Sequence, residues 1–209
     1  MNESSSRTPA RDRLLNAAVA LIRRQGFAAT GVDAICAAAG VTKGAFFHHF
    51  ASKEALGIAA AAHWGAMTAP LFAAADYHAM ARPIDRALAY LGLREALIAG
   101  EADAFTCLAG TLAQEVHASH PAIARAAEAA IVGHAETLTP DLAAALDDAG
   151  VRDVDPAELA LHSQAVLQGA FVLAKATGDP EVARSSVRHL RRYIALLCKG
   201  EMDDDRRNA

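Results

Sequence analysis

The sequence predicts an all-α protein, a small three-helix unit followed by a larger helical body. Three observations carry this. Hydrophobic residues make up 53% of the 209 positions while aromatics make up 5%, and alanine, the strongest helix former, supplies much of that apolar count. Alternating runs of Val, Ile, Thr and Tyr, the mark of half-buried strands, are nearly absent. Glycines and prolines cut the chain into about nine segments of helical length.

Taken in order, residues 1–10 read as a frayed arm. The first helix starts with Thr8 as N-cap and Pro9 at the first helical position. It carries Leu14, Leu15, Ala18, Val19, Leu21 and Ile22 at helical spacing and stops at Gly26, after which Phe27 folds back onto the core. A second, short helix covers Val32 to Ala39, and Gly40 ends it in the left-handed conformation that a tight turn requires. Thr42 caps a third short helix from Lys43 to about His49. Two short helices joined by a glycine-containing turn form a helix-turn-helix. Ser52 caps the next helix, which runs to about Ala75. Pro83, Gly100, Pro121, Gly150, Pro156, Gly178 and Pro180 then divide the rest into segments 83–99, 103–118, 121–149, 156–177 and 180–199. Pro140 is expected to kink or split the segment that contains it. The tail after Lys199, with Asp203, Asp204, Asp205, Arg206 and Arg207, reads as disordered. The expected domains are 1–51 and 52–200, with a tail at 201–209.

No apolar run of 18 or more residues free of charges is expected, which argues against a membrane span. The polar start, Met1 to Arg13, has no apolar signal-peptide core. Cys36, Cys107 and Cys198 are odd in number and widely spaced, which fits reduced thiols in the cytoplasm rather than a disulfide framework. The net charge of −4 is unevenly placed: residues 1–60 carry +3 and the remainder −7. A basic end on an acidic body turns the molecule towards phosphate.

The informative stretch runs from Gly26 to Leu56. A helix opening with Thr42-Lys43-Gly44-Ala45 has almost no side chain at Gly44 and Ala45, so its backbone can approach a groove floor and Ala45 can touch a thymine methyl. Lys43 can reach a guanine edge or a phosphate, and the Thr42 hydroxyl with the free amides of the helix start suits a phosphate oxygen. His48 lies where the helix meets the backbone, and Lys53 is expected as a second phosphate anchor. Phe50 and one of Phe46 and Phe47 should pack inward.

This run resembles the DNA-binding domain of the tetracycline-repressor (TetR) family. The matching residues are Gly26-Phe27, Thr30, Ala39-Gly40-Val41, Thr42-Lys43-Gly44-Ala45, Phe47-His48-His49-Phe50 and Ser52-Lys53-Glu54, without a gap over about 45 residues. The resemblance implies double-stranded DNA as partner, with Thr30, Thr42, Lys43, Gly44, Ala45, Phe47, His48 and Lys53 at the interface. Two positions depart from the family pattern. Phe47 stands where a tyrosine usually supplies a phosphate-binding hydroxyl, and Gly31 replaces a common Ser or Thr, leaving the cap of the second helix to Thr30 or the backbone.

The same resemblance implies a C-terminal domain that dimerises through its last two long helices and holds a small-molecule effector. The stripes Leu159, Ala160, Ser163, Val166, Leu167, Ala170, Leu173, Ala174 and Val187, Leu190, Ile194, Leu197 suit a helix-packed homodimer. Pocket candidates, chosen by helical position, are Trp64, Met67, Phe72, Tyr90, Phe105, Cys107, Leu108, Gln114, His117, His134, Gln168 and Phe171. The stretch Phe105 to Val116 resembles a subgroup of the family in which a cysteine opens the helix beneath the pocket. Some members of that subgroup respond to electrophiles, so a cysteine-based sensor at Cys107 is the alternative to a buried small hydrophobe. His117 and His120 stand three apart, with His134 or His162 as possible companions, but no Cys or carboxylate cluster completes a metal shell. No metal or cofactor is expected. No Gly-rich phosphate loop, HExxH or Gly-x-Ser-x-Gly occurs, so the reading is a regulator, most simply a repressor released by its effector, and not an enzyme.

Overall fold

A computed structural model describes residues 8–199. The expected tail at 201–209 and most of the frayed arm lie outside the described residues. Those described are helical, with no strand among them. In chain order they form α1 (Ala10–Gln25), α2 (Val32–Ala39), α3 (Lys43–His49), α4 (Lys53–Ala73), a 3-10 turn (Asp76–Ala79), α5 (Pro83–Ala96), α6 (Ala102–Phe105), α7 (Leu108–Val116), α8 (Pro121–Glu136), α9 (Thr139–Asp148), α10 (Pro156–Thr177) and α11 (Pro180–Leu197).

Local chemistry accounts for most boundaries. Proline occupies the first turn of α5, α9, α10 and α11, where a missing N–H costs nothing. Asp155 Oδ1 accepts from the Ala157 and Glu158 amides at 2.7 and 3.0 Å, and Asp179 Oδ1 from the Glu181 amide at 2.8 Å, so the two longest C-terminal helices start on carboxylate caps. Two details differ from expectation. Pro9 itself sits at the N-cap of α1 without a side-chain hydrogen bond, so Thr8 is not the cap. Segment 103–118 is two helices, because Thr106 and Cys107 adopt extended backbone between α6 and α7. The split expected at Pro140 does occur: segment 121–149 is divided into α8 and α9, with Pro140 in the first turn of α9.

The chain packs as two compact units. One comprises residues up to Pro70 together with Cys107–Ile131, the other Leu71–Thr106 with the chain from Val132 onward. The packing thus does not divide at residue 51: α7 and most of α8 pack with the N-terminal helices.

The first unit is built on α1, which buries Leu14, Leu15, Ala18 and Ile22 against Ile35 of α2, Phe46 of α3, Leu56 and Ala60 of α4, Leu108 and Leu112 of α7, and Ile123 of α8. In the second, α5, α9, α10 and α11 pack on one another. Leu159, Ala160, Ser163, Leu167, Ala170, Ala174, Val187, Leu190 and Ile194 are all buried within a single chain there. This corrects the expected dimer stripe, since most of those residues are intramolecular core. The large apolar side chains that α10 and α11 leave exposed are Leu161, Val172, Leu173, Tyr193 and Leu196.

One expectation about composition is also corrected. Residues 55–75 contain no Asp, Glu, Lys or Arg, and Lys53–Ala79 is long and apolar enough, at a mean hydropathy of 1.2, to cross a membrane by length and composition alone. Alanine supplies most of this hydropathy. Pro70 lies within the helix, and its N-terminal half sends Leu56, Ala60 and Ala61 into the core of the first unit.

Candidate nucleic-acid interface

The turn that presents α3 is assembled from short-range chemistry. Gly40 adopts φ 61°, ψ 42°, the left-handed cap that lets α2 stop and the chain reverse. Its amide donates to Ala37 at 3.2 Å, and the Val41 amide donates to Cys36 at 3.0 Å. From α1, Arg13 Nη1 reaches the Ala39 and Gly40 carbonyls at 3.0 and 3.2 Å, satisfying acceptors that the end of α2 leaves free. Thr42 Oγ1 then accepts from the Ala45 amide at 3.1 Å and caps α3. Phe46 and Phe50 turn inward, fully and almost fully buried, and their rings lie 5.8 Å apart.

The opposite face of α3 is open. Thr42, Lys43, Gly44, Phe47 and His48 are exposed, and Ala45 is half-buried. A Cβ added at Gly44 would meet only Thr42 Oγ1, at 3.8 Å, so nothing among the described residues covers the start of the helix. Lys43 Nζ pairs with Asp33 at 2.9 Å, with side chains 58% and 79% exposed. A pair this wet contributes little to stability and competes weakly with a phosphate. Phe47 is 53% exposed, its ring edge-on to Phe46 at 5.1 Å.

One expected DNA contact is corrected. Thr30 is fully buried and its hydroxyl donates to the Gly26 carbonyl at 2.6 Å, so it closes the α1–α2 turn instead of facing a ligand. Gly31, not Thr30, is the N-cap of α2, and it makes no side-chain cap. Lys53 is half-buried and already engaged within the protein. Its ammonium donates to the Ala28 carbonyl at 3.2 Å and lies 4.4 Å from the Phe27 ring centroid. Burial pulls the Lys53 pKa down and the nearby Glu115 charge opposes this.

The effector candidates separate into two groups. In the second unit Tyr90 and His134 are hydrogen-bonded, and Phe72 stacks on both, at ring separations of 5.8 and 4.5 Å. Phe171 faces Phe105 at 6.0 Å, and the Arg94 guanidinium lies over the Phe72 and Phe171 rings. Gln168 is half-buried on α10. Sequence reasoning missed Gln164, which is buried and donates to the Tyr90 hydroxyl at 3.3 Å; only its place one turn after Ala160 on the inward face of α10 hinted at it. Burial, then the charge of Arg94, pushes the His134 imidazole down to about 4. Burial pushes Tyr77 up to about 12. The cavity beside this cluster, lined by Tyr90, Leu91, Leu138, Asp141, Leu142 and Ser163 among others, measures about 10 Å³, room for about one water.

The remaining candidates belong to the first unit. Trp64 packs on its core with the Arg23 guanidinium 4.6 Å from the ring centroid. Met67 is exposed beside Asn16 and His63 in an open groove along α1. Gln114 and His117 are exposed, which corrects their place in a pocket. Leu108 is fully buried core, and Cys107 is a half-buried free thiol at the N-cap of α7. His120 stacks edge-on against Phe27 at 5.3 Å. Among the described residues no three His, Cys, Asp or Glu side chains converge on a metal-sized site.

Comparison with known proteins agrees with this geometry. Residues 14–60 match the bacterial regulatory proteins, tetR family, and residues 71–190 match the tetracyclin repressor-like C-terminal domain. The transcriptional regulator AcuR of Cereibacter sphaeroides is 28% identical over 190 residues, covering 88% of this chain and 85% of AcuR. The HTH-type transcriptional repressor DhaR of Mycobacterium sp. (strain GP1) is 42% identical over 52 residues, 25% of this chain and 26% of DhaR. Such short matches to regulators span 20% to 28% of those proteins' lengths. The crystal structure of a regulatory protein TetR from Rhodobacter sphaeroides superimposes with a TM-score of 0.78 at 26% identity, covering 88% of this chain and 98% of that one.

Proposed function

Because the chain belongs to the tetR family of bacterial regulatory proteins, a family of DNA-binding transcriptional regulators and not of enzymes, we propose that it is a homodimeric repressor released from its operator by a small molecule. The observation that carries this is the uncovered face of α3, where Thr42, Lys43, Gly44, Phe47 and His48 point outward from a helix held rigidly by Phe46 and Phe50. One seven-residue helix reads few base pairs, and two related by a dimer axis read successive major grooves about 34–36 Å apart. The dimer forms through α10 and α11, on the exposed apolar set Leu161, Val172, Leu173, Tyr193 and Leu196. The name of DhaR, a repressor, supports repression over activation.

The effector is received in the second unit at the Tyr90, His134 and Gln164 cluster. Its present cavity holds about one water, so binding requires the surrounding helices to part. An effector shifts the operator equilibrium only by its differential affinity for the two states. The protein acts in the cytoplasm, on double-stranded DNA. The deciding experiment is a gel-shift titration against duplexes that the protein selects from a random-sequence pool. Selection of a near-palindromic site by a dimer is expected; a dimer that selects no sequence at low salt overturns the reading.

A further inference from the structure

The α1–α2 turn is held by residues far from it in sequence. Phe27 N donates to Glu115 Oε2 at 2.5 Å and Ala28 N to Glu115 Oε1 at 2.8 Å, across 88 and 87 residues. Each of these amides lies just past the end of a helix, where a backbone N–H needs an acceptor from outside. A local side chain or water suffices for that. Here the acceptor is a carboxylate near the C-terminal end of α7.

The fit is close, although the Glu115 side chain is itself exposed. Gly26 takes φ +86°, and a Cβ there would lie 2.9 and 3.0 Å from the two Glu115 oxygens, so glycine serves both the conformation and the approach. On the other side, a Cβ at Gly57 of α4 would lie 2.8 Å from Phe27 and 2.8 Å from Ile123. The Phe27 ring is thus closed in by α4, by Ile123, by the Lys53 ammonium and by His120. Lys53 takes the Ala28 carbonyl, so the amides of the turn go to α7 and a carbonyl goes to α4. Four residues after Ala28, α2 begins, and α3 follows it through the Gly40 turn.

We propose that Glu115 is the positioning residue of the recognition unit: by holding the Phe27 and Ala28 amides it sets the angle at which α2 and α3 leave α1, and it makes α7 the input that can change that angle. The proposal rests on the operator-binding reading above and names the residue through which regulation reaches α3. A nine-residue α7 is a rod about 13 Å long, with Cys107 at its N-cap and Glu115 in its last turn. A shift or roll of α7 moves the carboxylate, and the turn follows because the contact cannot stretch.

The test uses the full chain, the duplex it selects from a random-sequence pool, and a scrambled duplex of equal length, all below the melting temperature of each variant. Glu115→Gln keeps the shape but places an amide N–H₂ against one of two donors. Glu115→Asp keeps the charge and shortens the reach. Both variants are expected to lose about tenfold in discrimination between the two duplexes, while affinity for the scrambled duplex stays within about twofold, since non-specific binding is set by the cations that reach phosphates and neither variant alters one. Amide exchange at Phe27 and Ala28 is expected to accelerate in both. A lowered melting temperature with discrimination intact makes Glu115 a brace only and overturns the proposal. So does loss in Glu115→Gln with full discrimination in Glu115→Asp, which assigns the effect to charge. If the wild-type protein selects no sequence, the operator-binding reading falls and the proposal falls with it.

Discussion

The hydroxyl of Tyr90 lies 2.9 Å from Nε2 of His134, inside the second unit. Gln164 Nε2 donates to that hydroxyl, which leaves the hydroxyl proton free to be donated to Nε2 of a neutral imidazole. These hydrogen bonds join α5, α8 and α10 through three polar side chains.

Stability should therefore fall in mild acid. His134 is held at about 4 in the fold, below its unfolded value near 6.5. Between those values the unfolded chain binds the extra proton, so stability is unaffected above about pH 6.5 and declines as pH drops towards 4. The loss amounts to at most roughly 3 kcal/mol. Urea melts from pH 7 to pH 4, compared with His134→Gln, measure it. The variant should lack this component of the pH slope, and an identical slope in both proteins assigns the acid sensitivity elsewhere.

Lys43 and Lys53 should separate in their response to salt. Lys43→Ala should weaken operator binding and reduce the slope of log affinity against log salt by about 0.9, one phosphate contact. Lys53→Ala should leave that slope unchanged and instead cost about 1–2 kcal/mol of stability, from the loss of a hydrogen bond to Ala28 and a cation–ring contact with Phe27. Filter-binding titrations over a salt series, with thermal melts alongside, read both. Equal slopes for Lys43→Ala and the wild type would remove Lys43 from the interface.

Phe47→Tyr should be a gain-of-affinity change. The ring is more than half exposed, so an added hydroxyl meets solvent in the free protein and alters stability by no more than about 0.5 kcal/mol. Facing DNA, it supplies a donor for a phosphate, with an expected gain of about threefold to tenfold in operator affinity. Unchanged affinity places Phe47 away from the backbone.

Leu173→Glu should break the dimer without unfolding the chain. Leu173 is 50% exposed on α10, so a charge there is solvated in the monomer and buried in the proposed interface. Sedimentation should show monomer with unchanged helicity and operator affinity reduced by about 100-fold or more, since one recognition helix then acts alone. A variant that stays dimeric moves the interface off this face.

Legibility followed the range of the interaction. The ends of α2, α3, α10 and α11 were readable because Gly40, Thr42, Pro156 and Pro180 act within a few residues of themselves. The inward turn of Phe50 and of one neighbour was readable from spacing, while the choice of Phe46 over Phe47 was not, because adjacent aromatics satisfy the pattern equally. The stripe Leu159–Ala174 suits a dimer and an intramolecular core equally, because small, apolar periodicity has the same form whether the partner is another chain or α9 and α11.

By itself, the sequence determined an all-helical chain, the helix-turn-helix between Val32 and His49, and the family to which it belongs, because those rest on local caps, glycine conformations and helical spacing. Only the tertiary structure decided that Thr30 is buried, that Lys53 is bound to the Ala28 carbonyl, that α7 packs with the N-terminal helices, and that Glu115 holds the Phe27 and Ala28 amides. A side chain's partner is set by which elements meet when apolar faces are buried. Contacts across 25 or 88 residues leave no periodic trace in the segments that make them.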